Sequence, residues 1–341
     1  MKRRLPHVVS LTILLIAGLA GRLDAQPAND DCLDGTLIPG NSITYDPPFA
    51  NTTGATPELC GAAESCEIGG VGTSNSVWYS FTPDQSVRMV INTVGDTNYD
   101  TVVSVFDGCG FFRPTTGCVV PNELACNDNS GPGTTSQISL NVSAGETYRI
   151  KVSDHDQSQG GGLLDFNLRT IPLNDLCSNA TIVDSASYDP PLLSTHNADN
   201  EPCEAQESCE FNDVGVSNPV WFSVTSLDDG FVTIDTEGTD YDTVLSVFDG
   251  CREFIDIKSC SAPPTEIACD DDGGAGLQSM LVDVPIQGGQ TYLIKVSDYN
   301  PSQGGGFLDF NLTFSETPVN PSIFADGFES ADTTSWSITT P

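Results

Sequence analysis

Basic residues are scarce: 12 Lys and Arg stand against 47 Asp and Glu in 341 residues, a formal net charge of -35. A field of that sign repels phosphate backbones and anionic lipid headgroups, so nucleic-acid and membrane-surface binding are poor readings of this chain. Histidine is rarer still, with three in all. There is no HExxH, no GxSxG, no phosphate loop and no dinucleotide fingerprint, which removes the common metalloprotease, hydrolase and nucleotide-dependent chemistries. A carboxylate pair of the glycosidase kind stays open, because acids occur throughout. Apolar residues never repeat with the 3.6 period of a helix. One long apolar run exists, Val8 to Ala20, and it is too short to cross a bilayer.

That run follows Lys2, Arg3 and Arg4 and precedes a short polar stretch ending in Ala25, the pattern of a secretory signal peptide cleaved after Ala25, with Ala20 as the alternative. No Cys follows it in a position for lipidation. The twelve cysteines all lie beyond it, six in each half: Cys32, Cys60, Cys66, Cys109, Cys118 and Cys126, then Cys177, Cys203, Cys209, Cys251, Cys260 and Cys269. An even set with matched spacing in an exported chain predicts three disulfides per half, with the connectivity left open. Cys-x-x-Cys pairs, which a structural cysteine-zinc site would need, are absent.

The matched spacing belongs to a larger repetition. "YDTVVSVFDGC" at Tyr99 returns as "YDTVLSVFDGC" at Tyr241. "NDDC" at Asn29 answers "NDLC" at Asn174, and "YDPP" at Tyr45 recurs at Tyr188. "ESCE" at Glu64 recurs at Glu207, and "SNSVWYSF" at Ser74 answers "SNPVWFSV" at Ser217. "ELACNDN" at Glu123 answers "EIACDDD" at Glu266. "YRIKVSDHDQSQGGGLLDFNL" at Tyr148 answers "YLIKVSDYNPSQGGGFLDFNL" at Tyr292. Order and spacing hold throughout, so the chain is a tandem duplication joined near Ile171 to Asn174. The period is far longer than the roughly 20 to 50 residues of a solenoid unit, and each copy is expected to have its own core.

Within a copy the apolar signal has period two over Val77 to Phe81, Val87 to Val94, Thr101 to Phe106, Ile138 to Val142, Tyr148 to Val152 and Leu164 to Leu168, with Gly, Pro, Asn and Asp in every gap. This predicts an all-β chain of two tandem antiparallel β-sandwich, jelly-roll-like domains, disulfide-stapled. In "TVVSVF" both faces are apolar, which predicts a central strand. "DGC" then turns the chain, with Gly108 or Gly250 expected to supply a positive φ. Trp78 and Trp221 sit inside strand patterns and read as core. The shared "SQGGG" at Ser158 and Ser302 reads as a wide bend before the last strand, or as a place where a polymer could approach the backbone.

The ordered motifs "WYSF" and "WFSV", "NYDTVVSVFDGC" and "DYDTVLSVFDGC", "ACND" and "ACDD", and "TYRIKVSD" and "TYLIKVSD" resemble the bacterial pre-peptidase C-terminal (PPC) domain family. The resemblance covers most of both copies. It implies jelly-roll-like sandwiches that accompany exported enzymes as non-catalytic modules, some binding calcium and some binding polymers. No catalytic domain is legible beside the modules here, so the expectation rests on their own binding. The segment "IFADGFESADTTSWS" from Ile323 resembles a short tail of some exported bacterial proteins and reads as a recognition or secretion tail, or a remnant.

Outside the leader only His155 and His196 are histidines, and Tyr299 stands opposite His155. A nucleophile-histidine arrangement kept by both copies is therefore impossible. Calcium, which takes six to eight oxygen ligands, is the better chemical reading of the repeated acidic loops. These are Asp96 and Asp100, answered by Asp240 and Asp242; Asn127, Asp128 and Asn129, answered by Asp270, Asp271 and Asp272; and Asp154 and Asp156, answered by Asp298 and Asn300. The Tyr-Asp before an apolar strand and the later Ser-Asp are similar to the calcium site of CUB domains. The same residues also satisfy ordinary turn chemistry, and both readings remain open. The sequons at Asn51, Asn141, Asn179 and Asn311 matter only in a glycosylating pathway.

The sequence thus divides into 1-25 signal peptide, 26-172 first sandwich, 173-315 second sandwich, and 316-341 linker and tail. It is expected to be a secreted or cell-surface, non-catalytic pair of binding modules, calcium-stabilised, with an extracellular polysaccharide or protein matrix as partner. A structural envelope or matrix component and an acidic-residue hydrolase are the alternatives.

Overall fold

The computed structural model describes residues 26-56, 60, 64-66, 74-156, 160-200, 203, 205-209, 217-252, 254-256, 259-300, 302 and 304-319. The expected leader and tail lie outside them. The described part is all-β, with two short 3-10 turns, Cys32–Asp34 and Cys177–Asn179.

In the first half the strands are β1 (Thr36–Ile38), β2 (Thr44–Tyr45), β3 (Ala50–Asn51), β4 (Ser74–Phe81), β5 (Val87–Asn92), β6 (Thr101–Phe106), β7 (Phe111–Arg113), β8 (Gly117–Val119), β9 (Glu123–Asp128), β10 (Gln137–Val142), β11 (Tyr148–Asp154), β12 (Leu163–Leu164) and β13 (Asn167–Pro172). A five-stranded sheet, β1-β4-β11-β6-β9, faces a four-stranded sheet, β10-β5-β13-β2. Pairing is antiparallel except for β1, which lies parallel to β4. The run expected over Leu164 to Leu168 is split into β12 and β13, because Asp165 between them turns its carboxylate onto the amide of Asp96.

The second half repeats this plan. β14 (Thr181–Val183), β15 (Ser187–Tyr188), β16 (Leu193–Ser194), β17 (Ser217–Thr225), β18 (Gly230–Asp235) and β19 (Thr243–Phe248) are followed by β20 (Phe254–Asp256), β21 (Ser259–Cys260), β22 (Glu266–Asp270), β23 (Met280–Ile286), β24 (Thr291–Asp298), β25 (Phe307–Leu308) and β26 (Asn311–Ser315). The sheets run β14-β17-β24-β19-β22 and β15-β26-β18-β23. Each half closes on its own apolar core. In the first, Tyr79 stacks on Phe166 with ring centroids 3.8 Å apart, and in the second Phe222 stacks on Phe310 at the same distance.

β6 is buried along its whole length and lies between β11 and β9. Val103 and Val105 enter the sandwich core. On the opposite face Phe106 joins Trp78 and Cys32 in a second, smaller apolar cluster. Trp221, Phe248 and Cys177 repeat it. The tryptophans are therefore core residues. An ion pair seals each outer face: Lys151 Nζ lies 3.0 Å from Glu64 and 6.0 Å from the Trp78 ring, and Lys295 Nζ lies 2.9 Å from Glu207 and 5.8 Å from the Trp221 ring. Both side chains of the second pair are 0% exposed.

Disulfides staple the covering segments down. They join Cys32 to Cys109, Cys60 to Cys118 and Cys66 to Cys126, and in the second half Cys177 to Cys251, Cys203 to Cys260 and Cys209 to Cys269. Six such bonds belong to a protein that folds in an oxidising, extracytoplasmic compartment. Among the described residues no helix is long and apolar enough to cross a membrane.

Two glycine expectations fare differently. Gly108 and Gly250 do not take a positive φ, and a Cβ on either would meet open space. The turn after β6 is closed instead by Asn122, which donates its amide to Asp107 Oδ1 and accepts from the Asp107 amide, and by the Cys32 disulfide. The triple glycine is the position that demands glycine: Gly160, Gly161, Gly304 and Gly305 lie at φ between 72° and 80°. A Cβ on Gly161 would sit 2.7 Å from Thr52 Oγ1. The bend reading of "GGG" follows.

The two halves also touch. Arg88 reaches Asp175 at 2.6 Å, and Asn197 donates to the carbonyls of Ile43 and Thr170 at 3.1 Å each.

Thermal melts will separate these roles. Gly161→Ala is expected to cost about 1–3 kcal/mol, whereas Gly108→Ala should stay within about 0.5 kcal/mol of the parent. Lys295→Met, which strands a buried carboxylate, should cost about 3–5 kcal/mol, and adding Glu207→Leu should recover most of the loss.

Candidate metal centres

The five-stranded sheet ends in an acidic corner. Asp100 immediately precedes β6, Asp128 closes β9, and His155 follows β11. Strand register brings them together: Val102 pairs with Asp128, Thr101 pairs with Asp154, and the His155 amide donates to the Asp100 carbonyl at 2.9 Å. One ligand atom from each of Asp100, Asp128 and His155 falls within 4.8 Å of the others. The second half assembles Asp242, Asp271 and Asp272 with the same closeness. There Asp242 precedes β19, the two other aspartates follow β22, and the Tyr299 amide donates to the Asp242 carbonyl at 3.0 Å.

A layer of buried hydroxyls sets the corner. Thr93 and Thr101 share a hydrogen bond of 2.7 Å, and Thr236 and Thr243 do the same. Ser279 Oγ lies 2.6 Å from the Thr243 carbonyl and 2.8 Å from the Asp271 carbonyl, so its one proton is shared between the strand and the acidic loop. These hydrogen bonds tie together the strands and the loop that carry the carboxylates.

The electrostatics of the corner are adverse without a cation. Burial raises Asp271 to about 6, with help from Asp272, Asp242 and Asp270. Burial and then Asp272 and Asp298 raise Asp242. Burial and Asp128 raise Asp100, while His155 opposes them. Buried polar atoms ordinarily find hydrogen bonds. Among the described residues, both carboxylate oxygens of Asp128 and one oxygen each of Asp242 and Asp271 are buried with none. Like charges gathered where no donor satisfies them fit a divalent cation, which carboxylate oxygens hold without hydrogen bonds.

The other candidates lie outside the two clusters, and most accept hydrogen bonds from neighbouring turns. Asn127 Oδ1 accepts from the amides of Ser130 and Gln137, at 3.3 and 2.9 Å. Asp270 Oδ2 accepts from Gly273 and Met280, at 2.7 and 2.8 Å. Asp154 Oδ2 accepts from Asn75 and the Gly161 amide, and Asp298 accepts from Ser217 and the Gly305 amide. Asp240 Oδ1 caps the Phe307 amide at 2.7 Å, and Asp96 is exposed with its amide on Asp165. His155 is the member that sequence reasoning set aside. Its lack of a histidine counterpart conceals the match, because Asp272 takes the third place in the second cluster from a different strand end.

Residues 28–168 match a family model for T9SS-associated domains described as galactose binding domain-like. The first half is therefore similar to a family of β-sandwich binding modules, and this likeness is distinct from the PPC resemblance of the motifs. No curated protein matches the chain. Among solved structures, tripeptidyl peptidase 2 is 10% identical at a TM-score of 0.24, with 82% of this chain and 24% of that one covered. This chain thus spans about a quarter of the peptidase's length. The CBM22-1-CBM22-2 tandem of Paenibacillus barcinonensis Xyn10C is 10% identical at 0.21, covering 86% of this chain and 89% of that one. The CUB1-EGF-CUB2 segment of human MASP-1/3 is 11% identical at 0.19, covering 80% and 100%. Scores this low carry no argument.

Because ionised Asp271 is disfavoured in the metal-free fold, Asp271→Asn is expected to raise the melting temperature in chelator while abolishing any rise produced by calcium. Paired melts of parent and variant, with chelator and with calcium, check both halves of that statement.

Proposed function

We propose that the chain is a secreted, non-catalytic pair of binding modules that attaches to an extracellular polysaccharide, with calcium at the Asp242, Asp271 and Asp272 corner as a structural ion. The observation that carries the binding reading is the galactose binding domain-like match over residues 28–168. The PPC-like motifs point the same way, since modules of that kind act by binding. The second sheet corner supports the calcium, since its three carboxylates converge on a position with two buried oxygens that no donor satisfies. A cation there removes mutual repulsion and ties the loop after β22 to the start of β19, holding the end of the sandwich rigid.

A place for the glycan is offered where the halves meet. Ile43, Pro83, Gln85, Leu192, Ser194 and Phe307 line a cleft there, mixing apolar faces with amide and hydroxyl groups as carbohydrate sites do. With both halves contributing walls, the pair would act as one binder.

Affinity electrophoresis of the chain through gels containing soluble polysaccharides, in calcium, tests the binding reading. Retardation by at least one polysaccharide, lost in Phe307→Ala, is expected; free migration in a panel of galactans, xylans and glucans would reject it. For the ion, calcium at a hundredfold excess over its dissociation constant should add about 2.7 kcal/mol of stability. A melting temperature indifferent to calcium and chelator would remove calcium from the account.

A further inference from the structure

The two corners are copies of one scaffold with different third ligands. In the second, Asp272 supplies a carboxylate from the loop after β22. In the first, the residue at that place is Asn129, held at φ 63°, and the third ligand comes instead from His155, where the second half has Tyr299. We infer that the first corner is a transition-metal site, holding a borderline dication such as zinc through Asp100, Asp128 and His155, while the second keeps a hard dication. The inference rests on the reading that these corners hold cations, and on no assumption about the glycan.

Donor chemistry makes the distinction. Imidazole nitrogen is a ligand for zinc and its neighbours, whereas calcium and magnesium take oxygen. Two carboxylates and one imidazole give three protein ligands, leaving a fourth tetrahedral position for water or a ligand group. The Asp128 side chain is 2% exposed, and neither of its oxygens has a hydrogen bond among the described residues. His155 Nδ1 is buried and likewise without one, although it lies only 3.4 Å from Asp128 Oδ2. An aspartate and a histidine that merely paired would turn the ring N–H onto the carboxylate. Here the nitrogen and oxygen stand 3.4 Å apart, which matches the edge of a zinc tetrahedron, about 3.4 Å for bonds near 2.1 Å. The surplus of carboxylates over the rest of the surface draws dications to both corners alike, so the selection falls to the single nitrogen.

The test uses the full chain made in an oxidising compartment, carrying no added histidines and stripped with chelator. Titrated with zinc by calorimetry in excess calcium, it is expected to take up one zinc per chain. His155→Tyr, which installs the side chain that the other half already accommodates at this place, should lose that zinc and still bind calcium. His196→Asn and Asp271→Asn should retain it. Cobalt in place of zinc should give the intense visible bands of a four-coordinate site in the parent and not in His155→Tyr or His155→Asn. No zinc uptake, or zinc uptake that survives both His155 variants, would overturn the inference. Two calcium ions per chain with no zinc would overturn it while leaving the calcium reading intact, and His155-dependent zinc with no calcium would do the reverse.

Discussion

The five-stranded sheet of each half is apolar on both faces, and most other features of the molecule answer to that. One face is covered by the four-stranded sheet, as any sandwich provides. The other exposes Trp78 and Phe106, or Trp221 and Phe248, to be covered by loop. A loop has little regular hydrogen bonding to hold it in place, so it must be anchored by other means. Three disulfides per half supply the anchors, and a buried lysine-glutamate pair, stacked near the tryptophan ring, supplies a polar contact that only the closed cover can make. Ser297 gives Glu207 a further hydrogen bond of 2.7 Å, so the buried charge is fully engaged.

The same staples reach the acidic corners. Cys66 bonds to Cys126 and Cys209 to Cys269, and the carboxylates of Asp128 and Asp271 follow two residues later, at the end of β9 and just past β22. Ser104 and Ser246, from the neighbouring strand, contact those sulfurs at 3.2 and 3.1 Å. The stretch of chain leading to each carboxylate is thereby held by a disulfide on one side and a serine on the other. The third member of each cluster differs between the halves: His155 follows β11, whereas Asp272 follows β22.

Much of this was legible in the residues. Period-two patterning over Val87 and Thr101 announced strands, and the echoed cysteines announced the staples in number though not in pairing. The apolar faces on both sides of "TVVSVF" marked a strand flanked on each side. What misled was local: Gly108 looked like a turn glycine, yet the turn is closed by Asn122 and a disulfide from distant sequence. The parallel β1 was invisible for the same reason, since three residues paired across some forty carry no local signal.

By itself the sequence determined the all-β class, the duplication, the oxidised cysteines and the acidic field, because each is a matter of composition, periodicity or repetition along one chain. Tertiary structure alone decided which acids converge on one point. Asp128 and Asp154 look alike in sequence, and only the fold shows that both Asp128 oxygens are buried without donors while Asp154 Oδ2 accepts from Asn75 and Gly161. The physical reason is that a carboxylate's role is fixed by its neighbours, and those come from strands far apart in the chain.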